Sequence, residues 1–183
     1  VDDAHATGTI GNGHGTAAYF GLEKEVDIQL GTLSKSLGSV GGYVAANSTI
    51  IDYLVNTSRS FIFSTALSPA DIGAALAALQ VLETDASVLA RLHENVNYMA
   101  DQLISMGIDA TNETPIFPIL IGRNEDTLAV SDYLYEAGII GTAIRPPTVP
   151  IGESRIRLTV TAAHNKEQID YVCQSLHNAM KQL

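Results

Sequence analysis

The sequence predicts an α/β fold, in which the N-terminal part of the chain belongs to a larger α/β domain and the C-terminal part forms a small α+β domain. Three observations lead there. The first forty-five residues are rich in Gly, Thr and Ser and hold two short apolar runs, at 26–30 and 40–46, that read as buried strands between loops. Apolar residues then recur at helical spacing from Ile72 to Leu103. After Gly107 the texture changes to alternating strand and helix. The boundary is expected near Ala86, giving segments 1–85 and 86–183.

Taken in order, Ser48 is the expected N-cap of a helix through Ile50, Ile51, Tyr53 and Leu54, and 60–64 reads as another short strand. Pro69 marks the next helix start. Ile72, Ala75, Leu76, Leu79 and Leu82 form one stripe, and Val88, Leu89, Leu92, Val96, Met99 and Leu103 continue it beyond a break at 84–87. Further on, 116–121 is expected as strand, 127–136 as helix, 138–144 as strand, 154–161 as a half-buried strand and 166–180 as an amphipathic helix. No internal repeat or low-complexity segment is present.

The chain has 183 residues, 46% hydrophobic and 16% charged, so it carries enough apolar material for a real core. Twenty acidic residues against ten basic ones argue against a nucleic-acid partner. No apolar run reaches the roughly 20 residues needed to span a bilayer, so membrane insertion is not expected. The one cysteine, Cys173, has no intrachain partner, which suits a reducing, cytoplasmic setting. The opening Val-Asp-Asp-Ala-His has neither an initiator Met nor signal-peptide character and is expected to be the interior of a longer protein. No metal site is expected, since His14, His93, His164 and His177 lack partners at ligand spacing.

The chemistry concentrates in three places. In Gly31-Thr32-Leu33-Ser34-Lys35-Ser36-Leu37-Gly38 a lysine lies among small and hydroxylic residues after a predicted strand. A lysine that forms an imine needs partial desolvation to free its amine, and nearby hydroxyls can hold a phosphate. Alone, the run is equally that of a lysine in a polar turn. Asp2 and His5 form an Asp-x-x-His pair, and a buried carboxylate is what keeps a pyridine nitrogen protonated as an electron sink. Alone, these are also ordinary strand-end residues. Arg145, held between a predicted strand and Pro146-Pro147, is suited to grip a carboxylate with both arms, or to cap carbonyls structurally. Arg155 and Arg157 share one face of a strand and read as structural.

Together, Asp-Asp-Ala-His, a glycine-rich loop, Gly-Thr-Leu-Ser-Lys about thirty residues on, and Ala-Ile-Arg-Pro-Pro-Thr-Val-Pro resemble the α-oxoamine synthases, from Asp2 to the last helix. That resemblance implies a fold-type I pyridoxal-phosphate transferase, aspartate aminotransferase-like. Residues 1–85 would be the C-terminal part of the large cofactor-binding domain and 86–183 the small C-terminal domain. It implies that Lys35 carries pyridoxal 5'-phosphate, Asp2 pairs with the ring nitrogen, His5 approaches the phenolic oxygen and Thr32 binds the phosphate. Phe63-Ser64-Thr65-Ala66-Leu67-Ser68-Pro69 resembles the stretch whose hydroxyls, here Thr65 and Ser64, reach the phosphate of a neighbouring subunit, which implies a homodimer with shared sites. Arg145, with Thr148 beside it, would bind the amino-acid carboxylate.

The activity implied is condensation of L-alanine with a pimeloyl thioester of coenzyme A or acyl carrier protein, with loss of carbon dioxide, in biotin synthesis. A glycine acetyltransferase, an aminotransferase, or a non-catalytic dimerisation or binding fragment stand as alternatives. The loop Ile10-Gly11-Asn12-Gly13-His14-Gly15 departs from the family pattern, being one residue shorter and carrying His14 where arginine is common. It also mimics a dinucleotide loop but lacks the βαβ context and the acidic residue that such a loop requires.

Overall fold

The computed structural model describes residues 1–110 and 113–183. The chain divides into two compact units, Val1–Leu89 and Ala90–Leu183.

In the first unit, residues 1–3 run extended and parallel to strand β1 (Ile28–Thr32), through Asp3 N donating to Leu30 O at 2.7 Å and Leu30 N to Val1 O at 2.8 Å. A 3-10 turn (Gly11–Gly13) leads into the short helix α1 (Thr16–Phe20). β1 pairs antiparallel with β2 (Gly42–Ala46), Gly31 opposite Tyr43. Both strands fall within a few residues of the predicted runs. They are not buried, however: most of their side chains are exposed, because within this unit the ribbon has only two strands and no layer covers it.

Helix α2 (Ser48–Thr57) is capped by Asn47, whose Oδ1 accepts from Ile50 N at 3.0 Å, so Ser48 is the first helical residue and not the cap. The strand expected at 60–64 is instead a single helical turn, α3 (Arg59–Ile62). A short apolar run does not discriminate the two states by period, and here there is no neighbouring strand to pair with. α4 (Pro69–Thr84) starts with proline in its first turn and with Ser68 as cap, its hydroxyl accepting from Asp71 N at 3.2 Å. The predicted break falls at Asp85, before α5 (Ala86–Ser105).

The second unit is a two-layer α/β sandwich. β3 (Ile116–Gly122), β4 (Thr142–Ile144) and β5 (Ser154–Thr159) form an antiparallel sheet in the order β3-β5-β4. Ser154, Ile156 and Leu158 of β5 and Phe117 and Ile119 of β3 point inward, while Arg157, Pro118 and Leu120 face out. The alternation predicted for Arg155 and Arg157 is therefore found, with Arg155 tied to Glu153 at 3.0 Å. Pro118 sits on an edge strand, where its missing N–H leaves the ladder intact.

Helix α6 (Asn124–Glu136) begins three residues before the prediction, with Glu125 and Asp126 in its first turn complementing the helix dipole. α7 (Lys166–Met180) matches the predicted span, and its Asn165–Gln168 capping box fixes its start. β4 is shorter than predicted because Gly138, at φ 76°, turns the chain, and only 142–144 reach β5. Asn95 on α5 donates to Thr161 O at 2.9 Å and to His164 O at 2.8 Å. Cys173 is buried on α7, and burial, helped by Asp170, pushes its thiol up to about 11. Among the described residues no single helix is long and apolar enough to cross a membrane.

Candidate active site

Two loops of the first unit carry the predicted cofactor residues, and the structure ties them together. The first is the turn after the parallel bridge of Asp2 to Leu30. Because residues 1–3 are extended, consecutive side chains alternate. Asp2 is exposed, with Oδ1 accepting only from Ala4 N at 2.9 Å, whereas Asp3 is buried. The burial expected at Asp2 thus belongs to its neighbour. Both carboxylate oxygens of Asp3 accept from Thr16 N, at 3.1 and 3.2 Å, filling the N-terminus of α1. A Cβ on Gly15 would overlap that carboxylate. The glycine-rich loop therefore holds an internal anion, which accounts physically for its lack of dinucleotide character. His5 is exposed on the same turn.

The second loop leaves β1 at Thr32 and returns at Gly41. It is closed by Leu33 N to Gly41 O at 2.9 Å, Ser39 N to Leu33 O at 2.8 Å and Gly38 N to Lys35 O at 3.1 Å. Lys35 is exposed on it, so the partial desolvation expected of this lysine is not seen within the unit. The one side chain the loop buries is Leu37. The Thr32 hydroxyl donates to Gly41 O at 3.0 Å and lies 2.8 Å from the Ser34 hydroxyl. Ser36, beside Lys35, donates to Thr7 O at 2.6 Å, and Gly8 leaves room for it, since a Cβ there would come within 2.9 Å of the Ser36 side chain. The lysine loop is thus seated on the turn that carries Asp2 and His5.

The stretch holding Ser64 and Thr65 is exposed throughout, with Ser64 donating to Ser60 O at 2.6 Å. It is moored to the lysine loop at its far end. Leu67 lies against Gly41, and the Ser39 hydroxyl donates to Asp71 O at 2.6 Å.

In the second unit Arg145 ends β4 and is exposed, making no ion pair among the described residues. Thr148 N donates to Arg145 O at 3.0 Å, closing a turn around a cis Pro146–Pro147 bond. His164 is structural, its Nδ1 accepting from Thr161 N at 3.1 Å. No group of three or more metal-ligating side chains occurs among the described residues.

The sequence profile described as aminotransferase class I and II matches residues 1–176 of this chain. The chain belongs to that family. Within the aminotransferase class I and II family, it is 45% identical over its whole length to 8-amino-7-oxononanoate synthase 1 of Bacillus velezensis and 43% identical to 8-amino-7-oxononanoate synthase of Thermoanaerobacter pseudethanolicus, covering 47% of each. The chain spans about half the length of the curated relatives it matches. Among solved structures, serine palmitoyltransferase from S. paucimobilis with a bound PLP–myriocin aldimine superposes with a TM-score of 0.92 at 29% identity, over all of this chain and 47% of that one. The 8-amino-7-oxononanoate synthase from Francisella tularensis superposes at 0.86 and 27% identity, over all of this chain and 54% of that one.

The fold is that of the fold-type I pyridoxal-phosphate enzymes, and the cofactor is pyridoxal phosphate. The residues present suit it. One seated loop pair offers an exposed primary amine at Lys35, an exposed carboxylate at Asp2 and hydroxyls at Thr32 and Ser34. Asp3, Thr7 and Tyr43 were not singled out from the sequence. Their signal lay in the glycines they press against, at 15 and 31.

Proposed function

We propose that this chain is the part of an 8-amino-7-oxononanoate synthase that carries the cofactor lysine, condensing L-alanine with a pimeloyl thioester and releasing carbon dioxide. The similarity to relatives of that name over every residue of the chain supports the reading most. Residues 1–85 would then belong to the large cofactor-binding domain and 86–183 to the small domain, in a cytoplasmic homodimer.

Pyridoxal phosphate, when bound, supplies an electron sink for a carbanion next to the amino nitrogen. Lys35 supplies the amine that holds it and, once displaced by the substrate amine, takes the α-proton and later returns one. Asp2, with Oδ2 uncommitted, accepts the ring N–H and keeps that nitrogen charged. His5 approaches the phenolic oxygen. Thr32 holds the phosphate, with Ser64 and Thr65 serving the site of the partner subunit. Arg145 and Thr148 hold the carboxylate of the amino acid.

Borohydride reduction of the cofactor-loaded, full-length protein followed by peptide mapping tests the central assignment. The phosphopyridoxyl mass is expected on Lys35; a label on Lys24 or Lys166 would end it. One observation favours a second reading. The fold superposes on serine palmitoyltransferases at TM-scores of 0.92 to 0.93, above the 0.86 of the synthase structure. Product analysis with alanine, serine and glycine against pimeloyl and palmitoyl thioesters separates the two.

A further inference from the structure

Thr7 stands where three pieces of the first unit meet, and none of the roles assigned above uses it. Its hydroxyl donates to Asp3 O at 3.2 Å and lies 2.9 Å from the phenol of Tyr43 on β2. A hydroxyl has one proton, so the phenol is the donor in that second contact. Its carbonyl accepts from the Ser36 hydroxyl at 2.6 Å. Tyr43 can reach it because the ring lies across Gly31, its antiparallel partner on β1, where any Cβ would overlap the ring.

We propose that Tyr43, Thr7 and Ser36 form a positioning latch that sets the turn bearing Asp2 and His5 in register with the loop bearing Lys35. The inference rests on the cofactor reading above and deepens it. None of the three is a catalytic residue. Asp2 and His5 lie two to five residues before Thr7, and Lys35 is bonded to Ser36, so a shift of Thr7 moves the carboxylate and the amine relative to one another. Catalytic geometry is sensitive to displacements of this kind. A side chain at 31 would exclude the ring and open the latch, and one at 8 would push Ser36 off its acceptor.

The test uses the full-length, cofactor-loaded protein and its Tyr43→Phe, Thr7→Val, Thr7→Ser and doubly substituted Tyr43→Phe/Thr7→Val forms. The spectroscopic readout is the pH titration of the cofactor's visible band, followed beside kcat and KM for the amino acid. Tyr43→Phe and Thr7→Val are each expected to move the titration midpoint in the same direction and to lower kcat roughly three- to tenfold, the span of one net hydrogen bond, with KM nearly unchanged. The double variant should be no worse than either single, since both remove one contact, and Thr7→Ser should restore the parent profile. Parent-like titration in both single variants, or additive losses in the double, overturns the latch. Should Thr7→Val fail to fold, Tyr43→Phe and Ser36→Ala carry the same comparison. A parent protein with no cofactor band overturns the cofactor reading itself, a result distinct from a failed latch.

Discussion

At the scale of single residues, the two adjacent aspartates have opposite jobs. Asp2 faces out beside the lysine loop, and Asp3 turns inward to cap α1. Asp3→Ala should destabilise the first unit by about 0.5 to 2 kcal/mol, the range for losing an N-cap, as read by urea denaturation. Asp2→Asn should leave that midpoint in place and abolish the charge state of the cofactor ring, read in its absorbance. A stability loss at Asp2 and none at Asp3 would reverse the assignment. Arg145→Lys keeps the charge but loses the planar fork, so alanine binding should weaken by about 1 to 3 kcal/mol with cofactor affinity unchanged. Titration of the cofactor absorbance with L-alanine measures it, and unchanged alanine affinity would make Arg145 structural. The Asp-x-x-His spacing and the Gly-Thr-x-x-Lys run were legible as chemistry because their residue types are unusual together. Asp3 was not, because a buried cap and an exposed ligand are the same letter one position apart, and only the extended path of residues 1–3 decides between them.

Elements were legible where a long period or a cap defined them. α4, α5 and α7 carry stripes over several turns, and α7 is announced by the Asn165–Gln168 box. Short apolar runs were not: the 60–64 segment lacks a partner strand and coils, and 138–144 pairs only over its last three residues. The α5 stripe conceals one polar position that matters. Asn95 is buried and supplies both of its N–H bonds to carbonyls in the loop before α7, at 2.9 and 2.8 Å. Asn95→Leu fills the same space while leaving Thr161 O and His164 O without that donor. It should cost about 1 to 3 kcal/mol, read as a lowered denaturation midpoint of the second unit. A neutral or stabilising result would mean that water replaces the amide without loss.

At the scale of the whole molecule, the two units differ in how much apolar surface they bury. In the second, Leu103, Phe117, Ile119, Leu134, Ile156 and Leu176 are almost wholly enclosed, whereas the first buries Leu37 and a few alanines and leaves Phe61, Phe63 and Tyr53 exposed. Amide exchange on the 183-residue chain should therefore show slow hydrogens in β5 and α7 and fast ones in β1, β2 and α2. Equal protection in both units would contradict this. Composition showed that a core exists but not where it lies, because 46% hydrophobic residues can be spread evenly or unevenly along a chain. The β1–β2 ribbon also bears on how a cell handles this polypeptide. With β2 paired only to β1 among the described residues, and Ile28, Leu30, Tyr43 and Val44 exposed, the ribbon offers strand edges and apolar side chains of the kind that chaperones clasp and that seed aggregates. Until something covers it, the segment that holds the lysine loop in place is also the one most prone to quality-control capture.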